Sequence, residues 1–381
     1  MTTTVNNEHK NIKVPNLRFP EFQGEWVTYK IKDVLSIGNG RDYKHLNNGG
    51  IPVFGTGGYM TSVDECLYDG ETTFIGRKGS INKPFYYNGK FWTVDTLFYT
   101  HSFNGITPKF TYCLFQTKNW LKYNEASGVP SLSKDTIEKI KINIPRLEEQ
   151  NKIAKLMFAL DERIATQNKI IEDLKKLKSA IIEKVFNGKH SEKLQLNDVG
   201  SYIRGLTYSS NDVVEHGGTI VMRSNNIING SLLDYNNNVV FVNKQMSAEQ
   251  QLQNGDVVIC MANGSSSLVG KSSFYDGSCH SPITVGAFCG IYRSKEPIVK
   301  WLFQTNKYRR YIWNSLQGGN GAIANLNGED ILNMSFPIPN ATFKDTCVKM
   351  LTSVDSALEN NMSLCALYTL QKQHMLRQMF I

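Results

Sequence analysis

The sequence predicts an α+β protein in which two strand-rich, mixed domains are separated by two long helices forming an antiparallel coiled coil, related by a pseudo-two-fold internal repeat. Three observations predict it. The tetrapeptide Leu-Phe-Gln-Thr occurs at Leu114–Thr117 and again at Leu302–Thr305. From Leu132 and Leu326 onward the halves align without a gap at an offset of 194, so that Ile137/Ile331, Pro145/Pro339, Asp161/Asp355 and Phe186/Phe380 correspond. Twice, β-prone runs broken by Gly and Asn give way to a stretch with neither Pro nor Gly.

In chain order, residues 1–16 are polar and aperiodic and read as a flexible arm. Residues 17–146 alternate runs such as IPVFGT, TTFIGRK and KPFYYNGKFWTVDTLFYT with turn residues, which predicts a strand-rich domain whose clearest helix is FTYCLFQTKNWLKYN. Residues 147–190 hold the central helix, with Glu148 and Glu149 in its first turn complementing the dipole and Asn187-Gly188 supplying the stop. Residues 191–340 repeat the strand-rich texture, with LNDVGSYIRG (196–205) answering IKDVLSIGNG (31–40). Residues 341–381 form the second helix.

In the first helix Ile153, Met157, Leu160, Ile164, Gln167, Ile171, Leu174, Lys178, Ile181 and Val185 recur at alternating steps of four and three. Adding 194 yields Cys347, Leu351, Val354, Leu358, Asn361, Cys365, Tyr368, Lys372, Met375 and Met379, a seam that is polar at the same two rungs. Matched seams of this kind belong to coiled-coil partners, whereas helices lying each on its own domain need no shared polar rung. A two-fold relation makes the helices antiparallel and sets Gln167 against Asn361, Leu160 against Tyr368 and Ile153 against Met375. Lys178 and Lys372 are expected to snorkel to the edge.

Composition narrows the function. No run approaches the ~18 apolar residues of a membrane span, and MTTTVNNEHKNIK lacks a signal-peptide core. Seven cysteines with no CxxC pair fit a reduced, cytoplasmic setting. The net charge of +8 permits a polyanionic partner. Catalytic constellations are missing: there is no phosphate-cradling G-x-x-x-x-G-K-[ST], no H-E-x-x-H, no zinc spacing and no Pro-Pro dipeptide of the amino-methyltransferase signature. The only Glu-x-Lys, Glu8 to Lys10, lies in the arm without an upstream carboxylate. Cys279 and His280 are adjacent, and adjacent strand residues face opposite sides. Catalytic residues and metal ligands are therefore assigned to none.

Each domain does carry loops suited to nucleic acid. In the first these are NGRDYKHLNNGG, GRKGSINK and SGVPSLSKD, from which Arg41, Tyr43, Lys44, Arg77, Lys78, Ser80, Lys83 and Ser131 are candidate DNA-binding residues. In the second, IRGLTYSSND, MRSNNIING, MANGSSSLVGKSS and QGGNGAIANLNGED offer Arg204, Tyr208, Arg223, Asn225, Asn263, Ser265, Lys271 and Asn320. Arg and Asn present bidentate groups matched to guanine and adenine edges, while Ser, Lys and backbone N–H groups hold phosphates. Taken singly, each is also what an ordinary solvated turn contains. The helices repeat without a gap and the loops differ in length, the design expected of a duplicated scaffold reading two targets.

These residues resemble a known family. GRKGSINK in a strand-rich domain, SGVPSLSKD, INIPRLEEQNKIAKLMFALDERI, a helix ending in AIIEKVF and a degraded second copy ending in HMLRQMF look like the specificity subunit (HsdS) of type I restriction–modification systems. The resemblance covers nearly the whole chain, although the second copy reads IPNATFKDT and lacks the Glu-Glu-Gln. It implies that each domain is a target recognition domain reading half of a bipartite, gapped site in double-stranded DNA. The helices would be the spacer, ~58 Å for ~39 residues at 1.5 Å each, against ~34 Å per turn of B-DNA. It further implies two modification (methyltransferase) subunits that bind S-adenosylmethionine and methylate adenine, and restriction (translocase/nuclease) subunits that use ATP and Mg, leaving no cofactor in this chain. By the family pattern, contact roles fall on Arg77, Lys78 and Ser80, with Asn263, Ser265 and Lys271 as rough counterparts. A coiled-coil scaffold without DNA binding explains the helices but not the loops, and a stand-alone nuclease or methyltransferase needs a constellation that is missing.

Overall fold

A computed structural model describes residues 13–188, 192–316 and 324–381, and divides the chain into two compact units. The first comprises residues up to 168 together with 363–381, and the second spans 169–362.

The first unit is built on a six-stranded sheet in the order Ser36–Asn39, Leu97–His101, Tyr68–Gly76, Phe85–Thr93, Asn48–Gly55, Gly58–Val63. All neighbours are antiparallel except Phe85–Thr93 with Asn48–Gly55. A separate antiparallel ribbon pairs Val27–Lys30 with Lys141–Ile144, so the domain begins and ends side by side. The FTYCLFQTKNWLKYN segment forms a helix over Pro108–Thr117 only, capped by the Thr107 side chain accepting from the Phe110 N–H. It then breaks and resumes as the single turn Trp120–Tyr123, because the Trp120 indole donates back to the Phe115 carbonyl while its amide donates to Asn82 Oδ1.

The second unit repeats the core of this plan. Its strands Gly200–Arg204, Cys289–Ser294, Val257–Cys260 and Ser272–Phe274 pair antiparallel in that order, matching the first four strands above. The closing ribbon recurs as Glu192–Gln195 with Ser335–Ile338. What differs is the remainder: a separate sheet of Val213–Val214, Val240–Val242, Thr219–Met222 and Ile283–Val285 replaces the Asn48–Val63 hairpin. Gly40 and Gly205 occupy one crossing in both copies, where an added Cβ would lie 1.9 Å from the Val94 carbonyl oxygen and 2.2 Å from that of Gly286. No side chain fits there.

The central helix runs Leu147–Phe186 and the C-terminal helix Ala341–Gln378. Within the first unit Ile153 and Met157 share a core with Met379 and Phe380, and Asn168 meets Cys365, so the helices run antiparallel. Met375 packs against the same core as Ile153. In the second unit Ile182 and Val185 share a core with Cys347 and Leu351 in the same sense. The lysines do not snorkel: Lys178 and Lys372 are 6% and 8% exposed. Each is retained inside because an aspartate of the other helix neutralises it, Asp355 at 2.7 Å from Lys178 and Asp161 at 2.5 Å from Lys372.

The Glu-Glu-Gln of the central helix has tertiary partners beyond the dipole. Glu149 accepts two hydrogen bonds from the Arg18 guanidinium, at 2.8 and 2.7 Å, and one from the Trp26 indole. Gln150 accepts from the Thr107 N–H and donates to the Gly105 and Pro145 carbonyls, joining the helix start to the cap of Pro108–Thr117. In the second copy the aligned Phe343 is half exposed and Lys344 pairs with Glu296 instead.

Candidate nucleic-acid interface

In the first unit three distant segments meet at the turn joining strands Phe85–Thr93 and Leu97–His101. The Arg41 N–H donates to the Thr93 carbonyl at 2.8 Å, and the Arg77 and Lys78 N–H groups donate to that of Thr96 at 2.8 and 3.3 Å. Lys78 bridges Ser131, flanked by Gly79 N–H to the Pro130 carbonyl and Leu132 N–H to the Arg77 carbonyl. Arg41, Arg77, Lys78 and Ser131 are thereby gathered at one corner. The side chains of Arg41, Arg77, Lys78 and Ser80 are exposed, and among the described residues the three cations form no ion pair. Arg77 lies 5.9 Å over the Phe98 ring, which orients its guanidinium without consuming its charge. Glu125 secures the Ser131 loop: its carboxylate accepts from the Ser133 and Thr136 hydroxyls, and these bonds, that of Thr136 foremost, hold its pKa below the usual carboxylate range.

The other candidates here are placed differently. Tyr43 is half-buried against Val53, Val63 and Trp92 and belongs to the packing beneath the corner. Lys44 and Lys83 are exposed, and among the described residues no hydrogen bond ties Lys83 to the corner.

The same backbone pattern identifies the corresponding corner of the second unit. Leu206 N–H donates to the Val285 carbonyl, Met261 and Ala262 N–H groups to that of Phe288, and Leu326 N–H to that of Met261. Ala262 pairs with Asn325 as Lys78 does with Ser131. Arg41, Arg77 and Lys78 therefore correspond to Leu206, Met261 and Ala262, all buried, so the expected rough pairing of Arg77, Lys78 and Ser80 with Asn263, Ser265 and Lys271 does not hold for Arg77 and Lys78. The cationic trio is not repeated; instead Phe288, at the position of Thr96, is 68% exposed.

Around this corner Asn263 donates to the Ser224 hydroxyl at 3.3 Å and accepts from the Ser265 N–H at 3.0 Å, joining the two loops that carry Arg223, Asn225 and Ser265. Asn225 and Arg223 are exposed, the Arg223 guanidinium reaching the Asn238 carbonyl. The neighbouring Asn226 is 1% exposed and spends its amide on the Asp234 and Asn237 carbonyls, so it shapes the loop. Tyr208 is half-buried beside Val221 and Val242, and Arg204 is exposed. Lys271, whose carbonyl accepts from the Cys260 N–H, lines a cleft with Arg309 and Trp313. Asn320 lies outside the described residues. Phe288, Arg309 and Trp313 escaped the sequence reading; the signal was an Arg-Arg and a Trp inside one short helix, NKYRRYIWNSL.

Burial holds the Cys113 and Cys289 thiols up at about 12, so neither supplies a thiolate near neutral pH. Among the described residues no three His, Cys, Asp or Glu side chains gather as metal ligands, and no helix is long and apolar enough to cross a membrane.

The type I restriction modification DNA specificity domain family matches the chain twice, over residues 23–176 and 189–364. The chain is 34% identical over 124 residues to the MjaVIII specificity subunit of Methanocaldococcus jannaschii, covering 32% of this chain and 27% of that one. It is 31% identical over 154 residues to the EcoKI specificity subunit of Escherichia coli K12, covering 38% and 32% respectively. The matched stretches thus span about a third or less of those relatives. The S subunit of a type I restriction–modification system from M. genitalium has the same fold, with a TM-score of 0.68 at 14% identity over 97% of this chain and 99% of that one. With the family domain present in both halves, each on the repeated scaffold described above, the chain belongs to the DNA specificity subunits of type I restriction–modification systems.

Proposed function

We propose that each domain reads one half of a bipartite, gapped site in double-stranded DNA, and that the central and C-terminal helices set the gap. The observation that carries this reading is the corner where exposed Arg41, Arg77 and Lys78 and half-buried Ser131 converge from three segments, the three cations without an ion pair among the described residues, on a scaffold whose second copy has a different corner. Unpaired cations held on hydrogen-bonded backbone suit phosphate and guanine contacts, because the charge is already positioned and little side-chain neutralisation is lost on binding. Two corners with unlike chemistry suit two unlike half-sites. In this reading the chain performs no chemistry. Two modification subunits binding S-adenosylmethionine methylate adenine within the site, and restriction subunits using ATP and Mg join the same core.

The test is a map of modified bases in plasmid DNA from cells co-expressing this chain with a modification subunit, against cells lacking the chain. N6-methyladenine at one gapped two-part motif is expected. Co-purification of the two proteins without new methylation would overturn the half-site reading, and absence of association would leave the chain a coiled-coil scaffold.

A further inference from the structure

The second domain's corner has apolar residues at the positions of the first domain's three cations, so cations at other positions must hold a polyanion there. Both Leu-Phe-Gln-Thr copies lead to a buried aromatic six residues on from their Leu, Trp120 and Tyr308. In the first domain only the turn Trp120–Tyr123 follows, whereas in the second an eleven-residue helix spans Asn306–Leu316.

That helix is seated firmly. Tyr308 and Ile312, one turn apart, are buried; the Tyr308 hydroxyl donates to the Gly270 carbonyl at 2.8 Å, and Ile312 packs against Gly270. Its outer face presents Arg309, Arg310, Trp313 and Asn314, all exposed. The helix and the Ser266–Lys271 turn enclose a cleft lined by Ser266, Ser267, Lys271, Arg309 and Trp313, with no carboxylate in its wall. Among the described residues Lys271, Arg309 and Arg310 form no ion pair, whereas Lys307 rests on the Tyr311 and Phe336 rings. Three free cations, two serine hydroxyls and an indole that is 66% exposed make a surface whose complement is a sugar–phosphate backbone.

We propose that the helix Asn306–Leu316 and the turn Ser266–Lys271 form the phosphate-holding surface of the second domain, with Arg309, Arg310 and Lys271 on the backbone of duplex DNA and Trp313 against its sugars. The proposal rests on the DNA-reading function above. The two domains then hold DNA through different devices, a loop corner in the first and a basic helix in the second.

The test uses the full-length chain, alone and with a co-expressed modification subunit, and a random-sequence duplex titrated across a range of KCl concentrations. R309Q/R310Q is expected to lower the slope of log K against log salt by about 1.8, at ~0.9 per phosphate contact. Because Trp26, Trp92, Trp120 and Trp301 are buried, DNA is expected to quench the solvent-exposed tryptophan emission of the parent protein but not of W313F. The substituted side chains are exposed, so an unchanged thermal melt serves as the folding control. If the parent binds with an unchanged slope in R309Q/R310Q and unchanged quenching in W313F, the proposal falls while the DNA-reading function stands. If the parent shows no salt-dependent association in either form, the reading and the proposal fall together.

Discussion

Lys178 and Asp355 meet at 2.7 Å with 7% and 6% of their side chains exposed, and the same contact recurs between their repeat mates, Lys372 and Asp161. In both, a lysine of one long helix is matched by an aspartate of the other. Around each pair the partners differ. Asp355 also accepts from the Trp301 indole at 3.0 Å and lies 3.3 Å from Lys300, while Lys178 donates to the Gly230 carbonyl. Lys372 donates instead to Gln116 Oε1. The Lys178 contact thus ties the central helix both to the C-terminal helix and to the loop leading from Asn225.

Replacing Lys178 by Met removes that tie and strands a buried carboxylate. Burial lowers the Lys178 pKa despite Asp355, so the pair carries a real desolvation cost that only intact geometry offsets. K178M is expected to cost about 2–3 kcal/mol, less than the ~3–5 of an isolated buried pair because Lys300 remains. K372M is expected to cost about 1 kcal/mol, since Asp161 is 32% exposed. Denaturant unfolding of the two variants decides it, and equal costs would show that the pairs are not ranked by burial.

Arg77 and Lys78 are exposed, and beyond their backbone bonds only the Arg77 guanidinium has described contacts, with the Asp95 carbonyl and the Phe98 ring, so R77A/K78A is expected to leave the fold intact. Association of the assembled complex with DNA is expected to weaken, with a salt slope lower by about 1.8. Unchanged binding and methylation would remove these residues from the interface.

The Ser131 loop is expected to loosen in acid. Glu125 has a folded-state pKa below its ordinary 4.5, so its contribution is present above that value and is lost as pH falls through the depressed one. The protection of residues 124–136 against hydrogen exchange should therefore fall as pH drops below the ordinary carboxylate value of 4.5, and E125Q should already lack that protection at neutral pH. Identical pH profiles for the parent and E125Q would refute the assignment.

The central helix is continuous over 40 residues, from Leu147 to Phe186. Inserting four residues, about one helical turn, into both long helices is expected to change the gap of the methylated motif and preserve both halves. A motif with an unaltered gap would mean that the helices do not measure the site.

The sequence by itself determined the repeat, the two Pro- and Gly-free helices and the polar rungs on their seams, because helix periodicity and breaker residues act locally and survive without tertiary information. It also located the loops. Only the tertiary structure decided which loop residues correspond, since insertions move the offset from 165 at Gly40/Gly205 to 184 at Arg77/Met261 and 194 at Ser131/Asn325, and backbone hydrogen bonds alone keep the register. It likewise decided the fate of the lysines. On an isolated helix an ammonium on an apolar seam moves to water; inside each unit an aspartate from the distant helix supplies the counter-charge, and Lys178 and Lys372 stay buried.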